Sequence, residues 1–331
     1  MKHKFSIVIP VFNRPAEIQE LLESLNTQTF KDFEVIIVED GSTLPCKDIC
    51  DTFKDRLDLH YYTKSNSGPG LTRNFGVEKS CGDYVVFFDS DCLLPPTYFE
   101  QVNIEMEKEK VDAFGGPDKA HQSFSKVQKA ISYSMTSFFT TGGIRGGKNK
   151  LDIFYPRTFN MGINRQVFIS LGGFSSMRFG EDIDFSTRII KCGYNCKLFP
   201  NAWVWHKRRT DMRKFFRQVH NSGIARINQY KRYPQTLKLV HLLPAMFTIG
   251  LILIALGAYF WWPVSLLLAT YILLIFLDAA FKNRSIAIGL LAVKASFVQL
   301  IGYGTGFLRA WWKRCILRQG EFQAFKNTFY K

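Results

Sequence analysis

From Leu239 to Phe260 the chain contains no Asp, Glu, Lys or Arg. A hydrocarbon core about 30 Å thick is crossed by roughly 20 such residues in a helix, so this stretch is long enough to span a bilayer. Trp261-Trp262-Pro263 follows, pairing aromatic residues suited to the membrane–water boundary with a helix-breaking proline. Val264 to Phe281 is a second candidate span, with Asp278 near its end and the short basic loop Lys282-Asn283-Arg284 after it. So short a turn makes the two spans an antiparallel hairpin. Ile286 to Phe307 is a third apolar segment, of mixed polarity because it holds Lys294, Gln299 and the sequence GYGTG. Arg309, Lys313, Arg314 and Arg318 come next. Cytoplasmic loops are enriched in Lys and Arg, which places both basic clusters in the cytoplasm. A hairpin of the first two segments satisfies this if the third (286–307) lies in the interface or is re-entrant. A full third crossing would carry four basic residues outside. These readings make 233–331 a membrane region and 1–232 a soluble domain.

Residues 1–232 alternate strand and helix signals. FSIVIPVFN, FEVIIVEDGS, LHYYTKS and DYVVFFDSD read as buried strands. AEIQELLESLNTQ has helical apolar spacing at Ile18, Leu21, Leu22 and Leu25, and SGPGLTRNFGVEKS reads as a Gly-rich turn feeding a helix. Such alternation predicts right-handed βαβ units, an α/β fold with a parallel sheet, and a ligand site outside the carboxyl ends of the strands. TTGGIRGGKNK reads as a loop, and Asp184 to Lys191 as a helix beginning just after Glu181 and Asp182. MKHKFSIVIPVFNR lacks the continuous apolar run of a signal peptide. Lys and Arg total 43 against 28 Asp and Glu, a formal net charge of +15. That excess suits an anionic membrane surface or phosphorylated ligands, and no nucleic-acid-binding signature accompanies it. The seven cysteines lack zinc-site spacing and read as reduced thiols of a cytosolic domain.

In this basic chain the strand ends are acidic. Asn13, Glu39, Asp40, Asp89 and Asp91 all fall there. Asp89 and Asp91, one residue apart after an apolar run, repel each other unless a cation lies between them. Oxygen ligands in this arrangement suit Mg²⁺ or Mn²⁺ bridging to the phosphates of a nucleotide. An Asp at the end of the second strand is placed to accept hydrogen bonds from a base, and Arg73 to pair with phosphate or orient the carboxylates.

The motifs VIPVFNR, VEDGS, NSGPGLTRNFG, FFDSDC, MGINRQVF, LGGF and GEDIDFSTRI occur in that order between Phe5 and Arg209. In this order the chain resembles the family-2 glycosyltransferases of the GT-A fold. The resemblance implies a nucleotide-sugar-binding α/β domain with a mixed central sheet. Asp40 would contact the base, with Pro10, Phe12 and Asn13 lining the same pocket, and Arg73 and Asp89 completing the donor site. Asp89 and Asp91 match the metal motif. Asp182 matches the catalytic base, with Glu181 beside it. His206, in WVWH, stands where many relatives carry a metal-ligating histidine, a ligand better suited to Mn²⁺ than to Mg²⁺. The Gln-x-x-Arg-Trp motif of processive synthases is absent near Arg217-Gln218, which points to non-processive transfer.

The implied activity is inverting transfer of a sugar from a nucleotide-diphosphate donor to a lipid-linked or membrane-surface glycan acceptor. The implied setting is an inner or plasma membrane, multi-pass, with the catalytic domain cytoplasmic. A catalytically inactive assembly subunit on the same fold is the alternative, opposed by intact Asp89, Asp91 and Asp182. A nucleotidyltransferase would open with a Gly-rich, basic phosphate loop, and VIPVFNRPAE is not one.

Overall fold

The computed structural model describes residues 3–119, 121, 124–141, 154–177 and 179–321. Most of the expected TTGGIRGGKNK loop lies outside the described residues. In chain order the elements are β1 (Phe5–Val11), α1 (Pro15–Asn26), β2 (Phe33–Asp40), α2 (Lys47–Asp51), β3 (Leu59–Lys64), α3 (Pro69–Glu78) and β4 (Tyr84–Phe87). β5 (Cys92–Leu93), α4 (Tyr98–Lys108), β6 (Ala113–Gly115), β7 (Asp118–Lys119), α5 (Lys126–Thr136) and α6 (Phe138–Thr141) follow. Then come β8 (Met161–Asn164), α7 (Arg165–Ser170), α8 (Glu181–Lys191), β9 (Cys196–Leu198) and β10 (Val204–His206). The helices α9 (Met212–Arg232), α10 (Leu243–Phe260), α11 (Ser265–Asn283) and α12 (Ile286–Trp311) come next.

The chain forms two compact units. The first is built on a sheet of order β3-β2-β1-β4-β8-β6-β9. β1 pairs in parallel with both β2 and β4, as the alternation predicts. β8 runs antiparallel to β4 and β6, which makes the sheet mixed. β1 and β2 are apolar and buried on both faces, so helices must cover both sides. α1 does so with Ile18, Leu21, Leu22 and Leu25, the residues picked out by spacing. A small second sheet, β5-β10-β7, lies beside the end of β4. The carboxyl ends of β1, β2 and β4 therefore open onto one rim.

The second unit contains α5, α6 and α9 to α12. Its helices Leu243–Phe260, Trp262–Asn283 and Ile286–Ile316 are long and apolar enough to cross a membrane. α12 is an unbroken helix, which corrects the re-entrant form expected for this segment: a continuous helix does not turn back on itself. α9, expected in the soluble domain ending near residue 232, packs on α12 instead. The glycines of GYGTG explain the packing. A Cβ on Gly306 would lie 2.0 Å from the His220 carbonyl oxygen of α9, and one on Gly302 would lie 2.6 Å from Val219. A Cβ on Gly304 would instead meet the Pro244 carbonyl of α10 at 2.4 Å. Positions four apart share a helix face and the one between them points away, so α9 and α10 approach α12 from different sides. α5 adds Ala130 and Ile131 to the cluster formed with Ile275, Ala279, Ile288 and Ala292. Its Tyr133 donates a 2.6 Å hydrogen bond to Asp278, the acidic residue of the second apolar segment.

Candidate active site

β4 ends at Phe87, and the chain turns at once: the Cys92 amide donates to the Asp89 carbonyl at 3.0 Å. Asp89 and Asp91 project from this turn. β10 pairs antiparallel with β5 in a register that sets His206 opposite Cys92. That register carries the imidazole to the carboxylates, with Nε2 3.1 Å from Asp91 Oδ1 and 3.9 Å from Asp89 Oδ2. Phe159 stacks on the His206 ring at 4.9 Å. Ligand atoms of Asp91, Cys92 and His206 all lie within 4.8 Å of one another. Burial first, then the neighbouring carboxylates, pushes the Cys92 thiol well above its ordinary range, which makes the carboxylates and the imidazole the better ligands. This donor set fits a divalent cation of the Mn²⁺ type.

Arg73 joins this cluster to the second pair of acids. Its side chain is buried, with Nη2 2.6 Å from Asp89 and Nη1 3.5 Å from Glu181. These contacts orient the two carboxylates relative to each other. Gly180, at φ 84, starts α8, so Glu181 and Asp182 form the first turn itself rather than preceding it. A helix N-terminus favours negative charge there. Asp182 accepts from the Ile183 amide at 2.8 Å and from Arg157 Nε at 2.5 Å. Glu181 is pushed up to about 7, by burial first and by Asp182 next, with Arg73 opposing.

Asp40 is completely buried, and its carboxylate accepts from Lys64 at 2.9 Å, the Ser67 amide at 2.9 Å and the Gly68 amide at 2.8 Å. These contacts hold the loop after β3. Glu39 is also buried, accepting from Ser42, the Cys46 amide and Tyr61. Pro10, Phe12 and Asn13 are half-buried at the end of β1. Asn13 takes φ 54, in the left-handed region that Asn tolerates better than most residues. Its side chain accepts from the Thr43 and Leu44 amides at 2.8 and 2.9 Å.

The sequence reading missed Arg14 and Arg157. Arg14 places Nη1 2.8 Å from Asp91 Oδ2. It lies inside the motif VIPVFNR, so its position was visible although its partner was not. Arg157 falls in an irregular segment that offers no periodicity. Arg217 and Gln218 lie on α9, in the second unit.

Residues 6–172 match the family described as glycosyl transferase family 2. An uncharacterized glycosyltransferase of Rickettsia felis is 32% identical over 218 residues, 60% of this chain and 35% of that protein. Glycosyltransferase GlyA of Streptococcus pneumoniae is 35% identical over 99 residues, 29% of this chain and 14% of that protein. The chain thus spans about a third or less of the length of these relatives. Among solved structures, the mannosyltransferase PcManGT of Pyrobaculum calidifontis, in complex with GDP-Man and Mn²⁺, superposes with a TM-score of 0.68 at 16% identity. The likeness covers 95% of this chain and 88% of that one. S. aureus TarS 1–349 in complex with UDP gives 0.51 at 18% identity, covering 96% and 92%. At such identities the likeness shows the fold, which is GT-A. With half of the chain matching its model, the chain belongs to glycosyl transferase family 2.

Proposed function

We propose that this chain is an inverting, non-processive glycosyltransferase that moves a sugar from a nucleotide-diphosphate sugar to a lipid-linked or membrane-surface glycan acceptor. One observation carries the reading: Arg73 bridges the Asp89 side of the site to the Glu181–Asp182 side, so leaving-group and acceptor chemistry share one rim. Asp89, Asp91 and His206 are the residues that would hold a divalent cation, which when bound supplies Lewis-acid neutralisation of a departing diphosphate. Asp182 is the base. An acceptor hydroxyl gives its proton to the Asp182 carboxylate as its oxygen bonds to the anomeric carbon, and the bond from that carbon to the diphosphate breaks. Arg157 fixes the orientation of the Asp182 carboxylate. Arg73 holds Asp89 and Glu181 in register. In the donor site Asp40 would contact the base of the sugar nucleotide, with Pro10, Phe12 and Asn13 lining the same pocket.

The catalytic domain is proposed to face the cytoplasm of an inner or plasma membrane, where nucleotide sugars are made. α10 and α11 form the spanning hairpin. α12 lies across its base, because Gly304 meets α10 at Pro244, Phe297 meets Phe247, and Gly289 meets α11 at Phe276 and Ala280. Much more of α12 is buried than of the other two apolar helices, since polar, basic α9 and α5 also pack on it. That cladding supports an interfacial position.

A donor panel of UDP- and GDP-sugars, tested on membranes with Mn²⁺ and analysed by mass spectrometry of the lipid extract, tests the reading. A new glycolipid that depends on Asp182 supports it. Donor hydrolysis without any glycosylated lipid or glycan removes the acceptor assignment.

A further inference from the structure

The corner between β1 and α1 is built with more constraint than a connecting turn needs. Asn13 sits at positive φ, its amide donates to Ser42 Oγ at 2.8 Å, and its side chain accepts from two amides of the loop after β2. Ser42 in turn donates to buried Glu39. This fixes the backbone from which Arg14 leaves. Arg14 then crosses to the end of β4, where Nη1 lies 2.8 Å from Asp91 Oδ2. The Arg14 side chain is 31% exposed and Asp91 is 10% exposed, so the guanidinium reaches in from the mouth of the site.

Asp91 belongs both to this ion pair and to the cluster with His206 that fits a divalent cation. Two positive partners on one carboxylate repel each other, and a cation that neutralises Asp91 weakens its hold on Arg14. A released guanidinium at that mouth would present a rigid fork of donors, the geometry that matches phosphate oxygens. Because Asn13 pins the backbone, only the Arg14 side chain has to move.

We propose that Arg14 is a diphosphate-binding residue that exchanges partners: it holds Asp91 until a divalent cation takes that carboxylate, and then holds the phosphates. This rests on the metal and donor reading above. It makes two opposite demands on one residue. Arg14 competes with the cation for Asp91, and it contributes to binding of the phosphates that follow.

The test uses the full chain in detergent micelles, with Mn²⁺ alone and inorganic pyrophosphate as probes. Mn²⁺ binding is read from the spin-resonance signal of the free ion, and pyrophosphate binding by calorimetry at saturating Mn²⁺. Arg14→Gln is expected to bind Mn²⁺ about threefold to tenfold more tightly and pyrophosphate about tenfold more weakly. Arg14→Lys keeps the charge without the fork and should still bind pyrophosphate several-fold more weakly. If Arg14→Gln leaves both affinities unchanged, or weakens both, Arg14 is a structural partner of Asp91 and the exchange is wrong. Should Asp91→Ala abolish Mn²⁺ binding while Arg14→Gln changes nothing, the metal reading stands and only the Arg14 proposal falls. A wild-type chain that binds no Mn²⁺ overturns both.

Discussion

Asp91 is pulled in two directions, by Arg14 on one oxygen and His206 on the other, and Asp89 is tied to Arg73. Replacing Asp91 with Ala should therefore abolish both Mn²⁺ binding and sugar transfer, and EDTA should do the same to the wild type. Full turnover in EDTA would sink the metal assignment. Asp182→Asn should lower kcat by about 10²–10⁴ while nucleotide binding stays near wild type, because a general base acts on the acceptor. Normal turnover in that variant, together with loss in Glu181→Gln, passes the role to Glu181. Glu181 also makes a prediction for stability. Its folded value of about 7 lies above the ordinary 4.5, so the folded state binds the extra proton more tightly than the unfolded state does. That contribution is full below about pH 4.5 and is lost as pH rises through about 7. In metal-free buffer the melting temperature should fall between pH 5 and 8, and Glu181→Gln should fall less. Equal slopes in the two proteins would remove burial of Glu181 as the cause. At this scale the acidic pairs were legible because each pair is local. Arg14 and Asp91 are 77 residues apart, and Arg157 and Asp182 are 25 apart, so their pairing exists only once the strands are in register.

Among the elements, the parallel β1, β2 and β4 were readable from continuous apolar runs, since strands covered on both faces leave that signature. The short β7 and β9 were not, because strands of two or three residues carry no period. The glycines of α12 read only as mixed polarity, whereas their placement on different faces fits the helix between two neighbours. Gly306→Val should force α9 away from α12 and lower the melting temperature in detergent, with a cost of at least about 1–3 kcal/mol. Gly250→Val, on α10 where no atom lies within 4 Å of an added Cβ, is the matched control and should be silent. If both variants melt like wild type, the close approach of α9 and α12 is not what holds this unit together.

For the molecule as a whole, sequence divided the chain at residue 232, while its second unit gathers helices from 124–141 and 207–321. Charge and hydropathy pick out helices long and apolar enough to cross a membrane, but α5 and α9 join them only through faces that match α12. A chain cut near Arg232 leaves Phe215, Val219, Ile131 and Ala130 without the partners that bury them. It should bind a hydrophobic dye and aggregate unless detergent is present, and a monodisperse, dye-silent fragment would show α9 to be independent. External cysteine labelling of intact cells should reach a residue placed at Trp262 and none placed at Lys282 or Arg318. Labelling at Arg318 would make α12 a full crossing. The hydrogen bond from Tyr133 to Asp278 also sets a timetable, since the two residues are 145 positions apart. At roughly 5–20 residues per second of synthesis, α5 leaves the ribosome about 7–30 s before its partner exists. Through that interval Ala130 and Ile131 lack their partners Ile275, Ala279, Ile288 and Ala292, so the first of these helices to be made is among the last to be packed.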